Sequence, residues 1–235
     1  MSAFAAYAAA PTLRLDLGAA LLAADEEPGL DPATVVGALD ALAATIHIPA
    51  GASPFEAVAR LNHRLFTELG FTGDEDEYDH PDNSHLGRVL ARRRGLPILL
   101  SVVYMEVARR HGVIIDGVGF PGHFIVSPQG VSPRFFVDPF HQGLVLRPEA
   151  LLGRLCERTG ARGVDPEAWA RFTAAVDARA ILVRMNNNLK ASWGRRGCLE
   201  GVLRAVDRNL ALCPQDADER ALRDRLLVEQ GRSSR

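Results

Sequence analysis

Residues 117–140 constrain this chain more than any other stretch. They read Gly-Val-Gly-Phe-Pro-Gly-His-Phe-Ile-Val-Ser, a short turn, then Arg-Phe-Phe-Val-Asp-Pro-Phe. Two runs rich in β-branched and aromatic residues are separated by Pro128, Gly130, Ser132 and Pro133, the composition of a hairpin connection. Pro121 and Gly122 force a bend that places His123 at a strand entrance. Asp138 closes the second run, because Pro139 cannot donate to a ladder and tends to end a strand. If the two runs pair, His123 and Asp138 lie at neighbouring strand ends, where a carboxylate orients an imidazole.

Helical signals surround this hairpin. Leu13, Leu17, Leu21 and Leu22 share one side of a first helix. Asp31-Pro32 is an N-cap followed by proline at the first helical position, and Val35, Val36, Leu39, Leu42 and Ile46 follow at helical spacing. Ser53 and Glu56 make a capping box; its helix is expected to bury Phe55, Val58, Leu61, Leu65 and Leu69 and to stop at Gly70. Residues 72–83 are acidic and read as a solvated loop, since the ligand spacing and final Glu of an EF-hand are missing. Asn83 or Ser84 is expected to cap the next helix. Its last turn, Arg92-Arg93-Arg94, suits the helix dipole as well as it would suit a phosphate. Gly95-Leu96-Pro97 then opens the most apolar helix, which runs to His111-Gly112 and is apolar on most faces, as a central core helix is. A strand over 113–118 leads into the hairpin. From Asp165 onward the pattern is entirely helical, over 179–193, 198–212 and 217–230. The stretch from Leu199 to Pro214 is similar to the end of one tetratricopeptide unit and the start of the next, too little to stand alone.

Composition narrows the function. The 235 residues carry a net charge of −2, which gives no electrostatic footprint for nucleic acid. Cys156, Cys198 and Cys213 have unrelated spacings that fit neither a disulfide framework nor a zinc cluster. No apolar run reaches the ~20 residues of a membrane span. The Ala-rich start lacks a basic n-region, so the expected location is the cytoplasm.

With these segments in view, the chain resembles the SirB-type invasion-regulator family of bacteria, part of the transglutaminase-like superfamily. The resemblance rests on Asp-Asn-Ser-His-Leu-Gly-Arg-Val-Leu-Ala-Arg-Arg-Arg-Gly-Leu-Pro-Ile from Asp82, Val-Gly-Phe-Pro-Gly-His-Phe from Val118, Val-Asp-Pro-Phe from Val137, and Arg-Met-Asn-Asn-Asn-Leu-Lys from Arg184. It implies an α+β fold. A transglutaminase-like (papain-like) core would occupy residues 1–160, with a helical N-terminal part and a small antiparallel sheet. A tetratricopeptide-like helical region, 161–235, would pack on it. Active members use a cysteine at the start of the core helix, then a histidine and an aspartate on successive strands. His123 and Asp138 match the latter two. The cysteine position falls at Pro97, and no cysteine precedes Cys156.

Four readings of the pair stay open. His123 and Asp138 are a structural tie between strands, or line a ligand- or peptide-binding cleft together with Asn83, Pro97, Phe120, Pro121, Gly122 and Phe140. They serve a divergent hydrolase or acyltransferase whose nucleophile is Ser84 or Ser101, or they join His141 in a metal site. Ser101 is expected to be a helix-interior hydroxyl bonded to a carbonyl, and Ser84 a cap. The absent thiolate favours a non-catalytic binding or regulatory module with a protein or peptide partner and no cofactor, metal, nucleic acid or membrane.

Overall fold

Caps and first-turn prolines set most helix starts in the computed structural model, which describes residues 2–233. A short helix α1 (Ala3–Ala8) is capped by the Ser2 hydroxyl and buries Phe4 and Ala8. Helix α2 (Leu15–Glu26) buries Leu15, Leu22 and a run of small residues; Gly18 lies so close to Leu182 that a methyl there would sit 2.6 Å from it. Helix α3 (Pro32–Ala44) starts as expected at Asp31, whose carboxylate accepts from the Ala33 N–H. Helix α4 (Pro54–Asn62) starts at Ser53, but only half of the capping box forms, because Glu56 pairs with Arg60 instead of reaching back.

The expected single helix to Gly70 changes character on the way. Residues His63–Glu68 wind as a π-helix before Gly70 ends the run at φ +72°. Phe55 is not buried: it is 56% exposed and lies at the edge of the core, stacked on the buried Phe135 ring.

The acidic segment is not simply a wet loop. Strand β1 (Thr72–Gly73) pairs in parallel with β2 (Arg94–Gly95), and Asp74 is buried against Arg92. A 3₁₀ turn, Pro81–Ser84, then precedes α5 (Leu86–Arg92). The cap of α5 is His85, whose Nδ1 accepts from the Arg88 N–H, rather than Asn83 or Ser84. Each arginine of the basic run has a protein partner: Arg92 on Asp74 and Asn83, Arg93 on the Leu69 carbonyl, Arg94 near Asp76.

Helix α6 (Pro97–Arg110) is the centre of the core, burying Ile98, Leu99, Leu100, Val102, Val103, Tyr104, Val107 and Ala108. Each of the valine, leucine and isoleucine side chains contributes about 1.5–3 kcal/mol by leaving water. Against it lies an antiparallel sheet of β3 (Ile115–Val118), β4 (Ile125–Pro128), β5 (Phe136–Asp138), β6 (Leu144–Leu146) and β7 (Ala175–Val176), in the order β6-β5-β4-β3-β7. The hairpin forms as its composition predicts, with Val126 opposite Val137.

Both sheet faces are buried, and the two-residue period sorts them. Phe124, Val126 and Val137 join the core of α6. Val118, Ile125 and Phe136 face the other way, under α7 (Pro148–Thr159) and the Trp169 and Phe172 rings of α8 (Pro166–Phe172).

The region after residue 165 is not purely helical, because β7 completes the sheet beside β3. That strand lies beyond the expected boundary at residue 160. Helix α9 (Ala178–Arg195) then adds Ile181, Leu182 and Met185 to the main core. Helix α10 (Leu199–Leu212) packs on α9 and α1, and α11 (Ala217–Ser233) on α10. Helical spacing leads one to expect Leu227 to face the protein or a neighbouring helix, but it is 39% exposed beside Val228.

Candidate functional site

The site is built where the loop before β4 meets the end of β5. Gly122 takes φ +65°, completing the Pro121 bend, and the His123 N–H donates to the Phe120 carbonyl at 3.0 Å. Arg184 reaches across from α9 to donate to the His123 carbonyl at 2.7 Å while lying over the Phe124 ring. Burial lowers the pKa of that guanidinium. Backbone and turn together leave the His123 ring with its side chain only 16% exposed, aimed at Asp138.

Asp138 is fully buried at the end of β5. Its Oδ2 is 2.9 Å from His123 Nε2 and 2.8 Å from His141 Nδ1. Its Oδ1 accepts from the backbone N–H groups of Phe140 and His141, at 3.2 and 3.3 Å. The Arg154 guanidinium stands 3.8 Å from Oδ2. Burial pushes the carboxyl up. The hydrogen bonds and charge of His123, then those of His141, overcome burial and hold it below the usual carboxylate range. Asp138 therefore stays ionised, and a neutral His123 carries its proton on Nε2, which turns Nδ1 away from the carboxylate.

His141 owes its place to the turn. An aspartate that bonds the backbone N–H two and three residues on folds the chain back over its own carboxylate. The His141 ring is thereby carried onto Oδ2. The sequence names His141 as a ligand candidate without fixing its direction; the aspartate-proline pair just before it was the only signal. Gln142 and Gly143 close the turn at φ +54° and +74°, and Asn62 of α4 holds the Gly143 carbonyl at 2.7 Å.

A cleft of about 210 Å³ opens over this group. Phe120, Leu146 and Leu151 supply its apolar wall, His123, Asp138 and His141 its polar floor, and Arg154, Glu157 and Arg158 of α7 its charged rim. Arg158 also holds the carbonyls of Pro121 and Gly122, each at 3.3 Å. Phe140 sits edge-on to His123 with ring centroids 6.0 Å apart, and edge-on to Tyr78 at the same distance.

The other candidates lie elsewhere. Of the expected cleft residues beside the pair only Phe120 lines it: Asn83, Pro97 and Phe140 are buried outside the lining, and Pro121 and Gly122 form the bend behind His123. Pro97 is the first residue of α6, just after the β2 ladder, and that ladder meets the site through Gly73, whose N–H donates to the Phe140 carbonyl at 3.0 Å. Asn83 holds the same junction together, accepting from the Leu96 N–H and donating to the Glu77 carbonyl. Ser84 is buried and lines a separate pocket of about 170 Å³ with Tyr78, Leu96 and Asn188. Ser101 is wholly buried, and among the described residues its hydroxyl has no hydrogen-bond partner, where a carbonyl partner is expected. Neither serine reaches the cleft over His123.

Comparison with known proteins agrees with this architecture. Residues 33–187 match the family described as the transglutaminase-like superfamily. Two UPF0162 proteins of Xylella fastidiosa are each 40% identical over 171 residues, 73% of this chain and 60% of theirs. A UPF0162 protein of Pseudomonas aeruginosa is 31% identical over 207 residues, 86% of this chain and 73% of its own. Human F-box only protein 21 is 29% identical over 182 residues, 73% of this chain and 28% of its own. The chain thus spans about 60% of the length of the Xylella relatives. No solved structure matches it. Among the described residues, no helix is long and apolar enough to cross a membrane. On the match over residues 33–187, and on the relative of Pseudomonas aeruginosa, the chain belongs to the transglutaminase-like superfamily.

Proposed function

We propose that this protein is a non-catalytic, transglutaminase-like (papain-like) binding module of the SirB type. The cleft over His123 and Asp138 receives a segment of a protein or peptide partner, and the work is done in the cytoplasm. The observation that carries the reading is the lining of the cleft, which contains no serine, threonine, cysteine or lysine. A His-Asp pair needs a nucleophile within about 3 Å to activate it. At the position that the superfamily gives to cysteine stands Pro97, which has neither a nucleophilic side chain nor a backbone N–H.

The length of the match supports the role of a module. In F-box only protein 21 the related stretch is 28% of the chain, one part among others. Helices α9 to α11 supply a second partner surface in the manner of tetratricopeptide units, with Leu227 and Val228 exposed on the last of them.

Substitution at Pro97 tests the reading. Wild-type protein is assayed for hydrolysis and acyl transfer on ester, thioester and amide substrates, beside Pro97→Cys and Pro97→Cys with His123→Ala. The wild type should match the rate without protein. A thiol at the buried Pro97 position, outside the cleft lining, should leave both variants at that same rate and alkylate no faster than the half-buried Cys156, Cys198 and Cys213. Wild-type turnover that disappears in His123→Ala would overturn the non-catalytic reading in favour of a hydrolase or acyltransferase with another nucleophile.

A further inference from the structure

We propose that His123, Asp138 and His141 form a binding site for one divalent transition-metal ion, with zinc or cobalt(II) as the probe ion. The site uses three donors, two from the end of β5 and the turn between β5 and β6, and one from the loop before β4. One donor atom from each of His123, Asp138 and His141 lies within 4.8 Å of the other two. Two imidazoles and one carboxylate are the donor set that suits zinc, iron(II) or cobalt(II).

The spacing is close to what an ion requires. Zinc takes nitrogen and oxygen at about 2.0–2.2 Å, which puts tetrahedral donors about 3.3 Å apart. The two nitrogens now stand 2.9 and 2.8 Å from Oδ2. Inserting an ion parts each pair by roughly half an ångström and replaces two hydrogen bonds with two metal bonds. Each neutral ring keeps its single proton, which moves from the nitrogen facing Oδ2 to the other nitrogen; a charged ring releases one. His141, with its side chain 45% exposed, has room to adjust.

Asp138 is already held as a ligand would be. Its other oxygen accepts two backbone N–H groups, so the carboxylate cannot rotate away, and such outer bonds orient a metal ligand and tune it. The remaining coordination positions face the cleft, where water or a donor atom of a bound partner completes the shell. One group opposes the ion. The Arg154 guanidinium, 3.8 Å from Oδ2 and 41% exposed, contributes a like charge and must swing toward solvent. Glu157 on the same rim offsets part of it, and Arg158 is engaged with the carbonyls of the Pro121 bend. The site stands or falls independently of whether the cleft is catalytic.

The test uses the full chain without a histidine tag, stripped with a chelator and titrated with cobalt(II) and zinc. Calorimetry gives stoichiometry and affinity, and the visible bands of cobalt(II) report its geometry. One ion per chain is expected. His141→Ala and His123→Ala should each weaken binding by at least the ~10–100-fold seen on losing an outer-shell partner. His47→Ala, exposed and remote in the sequence, should not change it. Arg154→Ala should tighten binding several-fold, which an adventitious surface histidine would not show. His141 is exposed enough that its loss leaves the fold intact, which circular dichroism verifies. No saturable one-to-one binding up to millimolar ion, or binding that survives His141→Ala, would overturn the site.

Discussion

Asp138 has four hydrogen-bond donors and no contact with solvent, so its side chain holds the turn and both imidazoles together. Asp138→Ala leaves two backbone N–H groups and a half-buried ring unpaired. Breaking such a buried charged pair costs about 3–5 kcal/mol. His141→Ala removes an exposed partner, and such pairs are worth up to about 1 kcal/mol. Urea unfolding of the two variants should therefore differ by several kcal/mol; equal losses would mean that the network does not centre on the carboxylate. Asp16 gives a second prediction at this scale. It is buried, and its Oδ2 faces Arg14, Arg109 and Arg110 within 3.1 Å. Burial alone would raise its pKa, but the hydrogen bonds of Arg14 and the Leu17 N–H and the charges of Arg14 and Arg109 bring it below the ordinary value. A carboxyl that is more acidic when folded stabilises the protein above its unfolded pKa of about 3.9. That contribution is lost as pH falls through the folded value. Acid titration of stability should show a limb below about pH 4 that flattens in Asp16→Asn; an unchanged limb would exclude Asp16 as its source. Of these residues, His123 and Asp138 were legible in the sequence, because strand-ending proline and hairpin composition fix their neighbourhood. The direction of His141 was not, since it depends on where one carboxylate points within a turn. The Ser101 hydroxyl was not legible either: helix position predicts a carbonyl partner, and none is made among the described residues.

Among the elements, the two-residue ladder of β1 and β2 joins the start of α6 to the site. Gly73 makes that junction possible. A methyl at its Cβ would lie 2.5–2.6 Å from three atoms of the Phe140 ring, inside any real contact distance. Gly73→Ala must push that ring, which stands edge-on to His123. Overpacking of this kind costs about 1–3 kcal/mol. The variant should lower the unfolding midpoint and shift the His123 imidazole resonances, while Gly163→Ala, with open space at its Cβ, should do neither. A silent Gly73→Ala would show that Phe140 is free to move and does not brace the site. The ladder was invisible in sequence because two residues carry no periodicity and the partners are 22 positions apart. β7 escaped for the same reason; only its pairing with β3 makes it a strand. The π-helical turn at His63–Glu68 was equally hidden, since its apolar positions read as ordinary helix. By contrast Asp31, Ser53 and Asp138 announced their element ends, because caps and prolines act locally and need no tertiary partner.

At the scale of the molecule, α10 completes the core rather than decorating it, and α11 packs on α10. α10 lies against α9 and α1, so the C-terminal part touches the first helix as well as its own neighbour. The contact is partly apolar, through Ala205, Val206 and Leu212, and partly a buried polar network. Arg208, 3% exposed, bonds Asp25 at 2.5 Å and faces Glu26 at 2.6 Å on α2. Asn209 bonds Asn186 and Asn187 on α9, and Arg179 holds the Leu212 carbonyl. Cutting the chain after Gly197 removes every one of these partners at once. Asp25 and Glu26 lose their arginine, Asn186 loses two acceptors, and the apolar faces of α1 and α9 meet water. A newly exposed patch of that kind drives association. The 1–197 fragment should therefore bind a hydrophobic dye, aggregate at concentrations where the full chain is monodisperse, and lose its cooperative thermal transition. Restoring 198–235 as a separate peptide should recover part of the transition if the interface is specific. The opposite outcome is equally readable: a soluble, cooperatively melting 1–197 fragment would make α10 and α11 an attached module. The buried arginine and asparagine network would then be a docking interface between two independently stable parts.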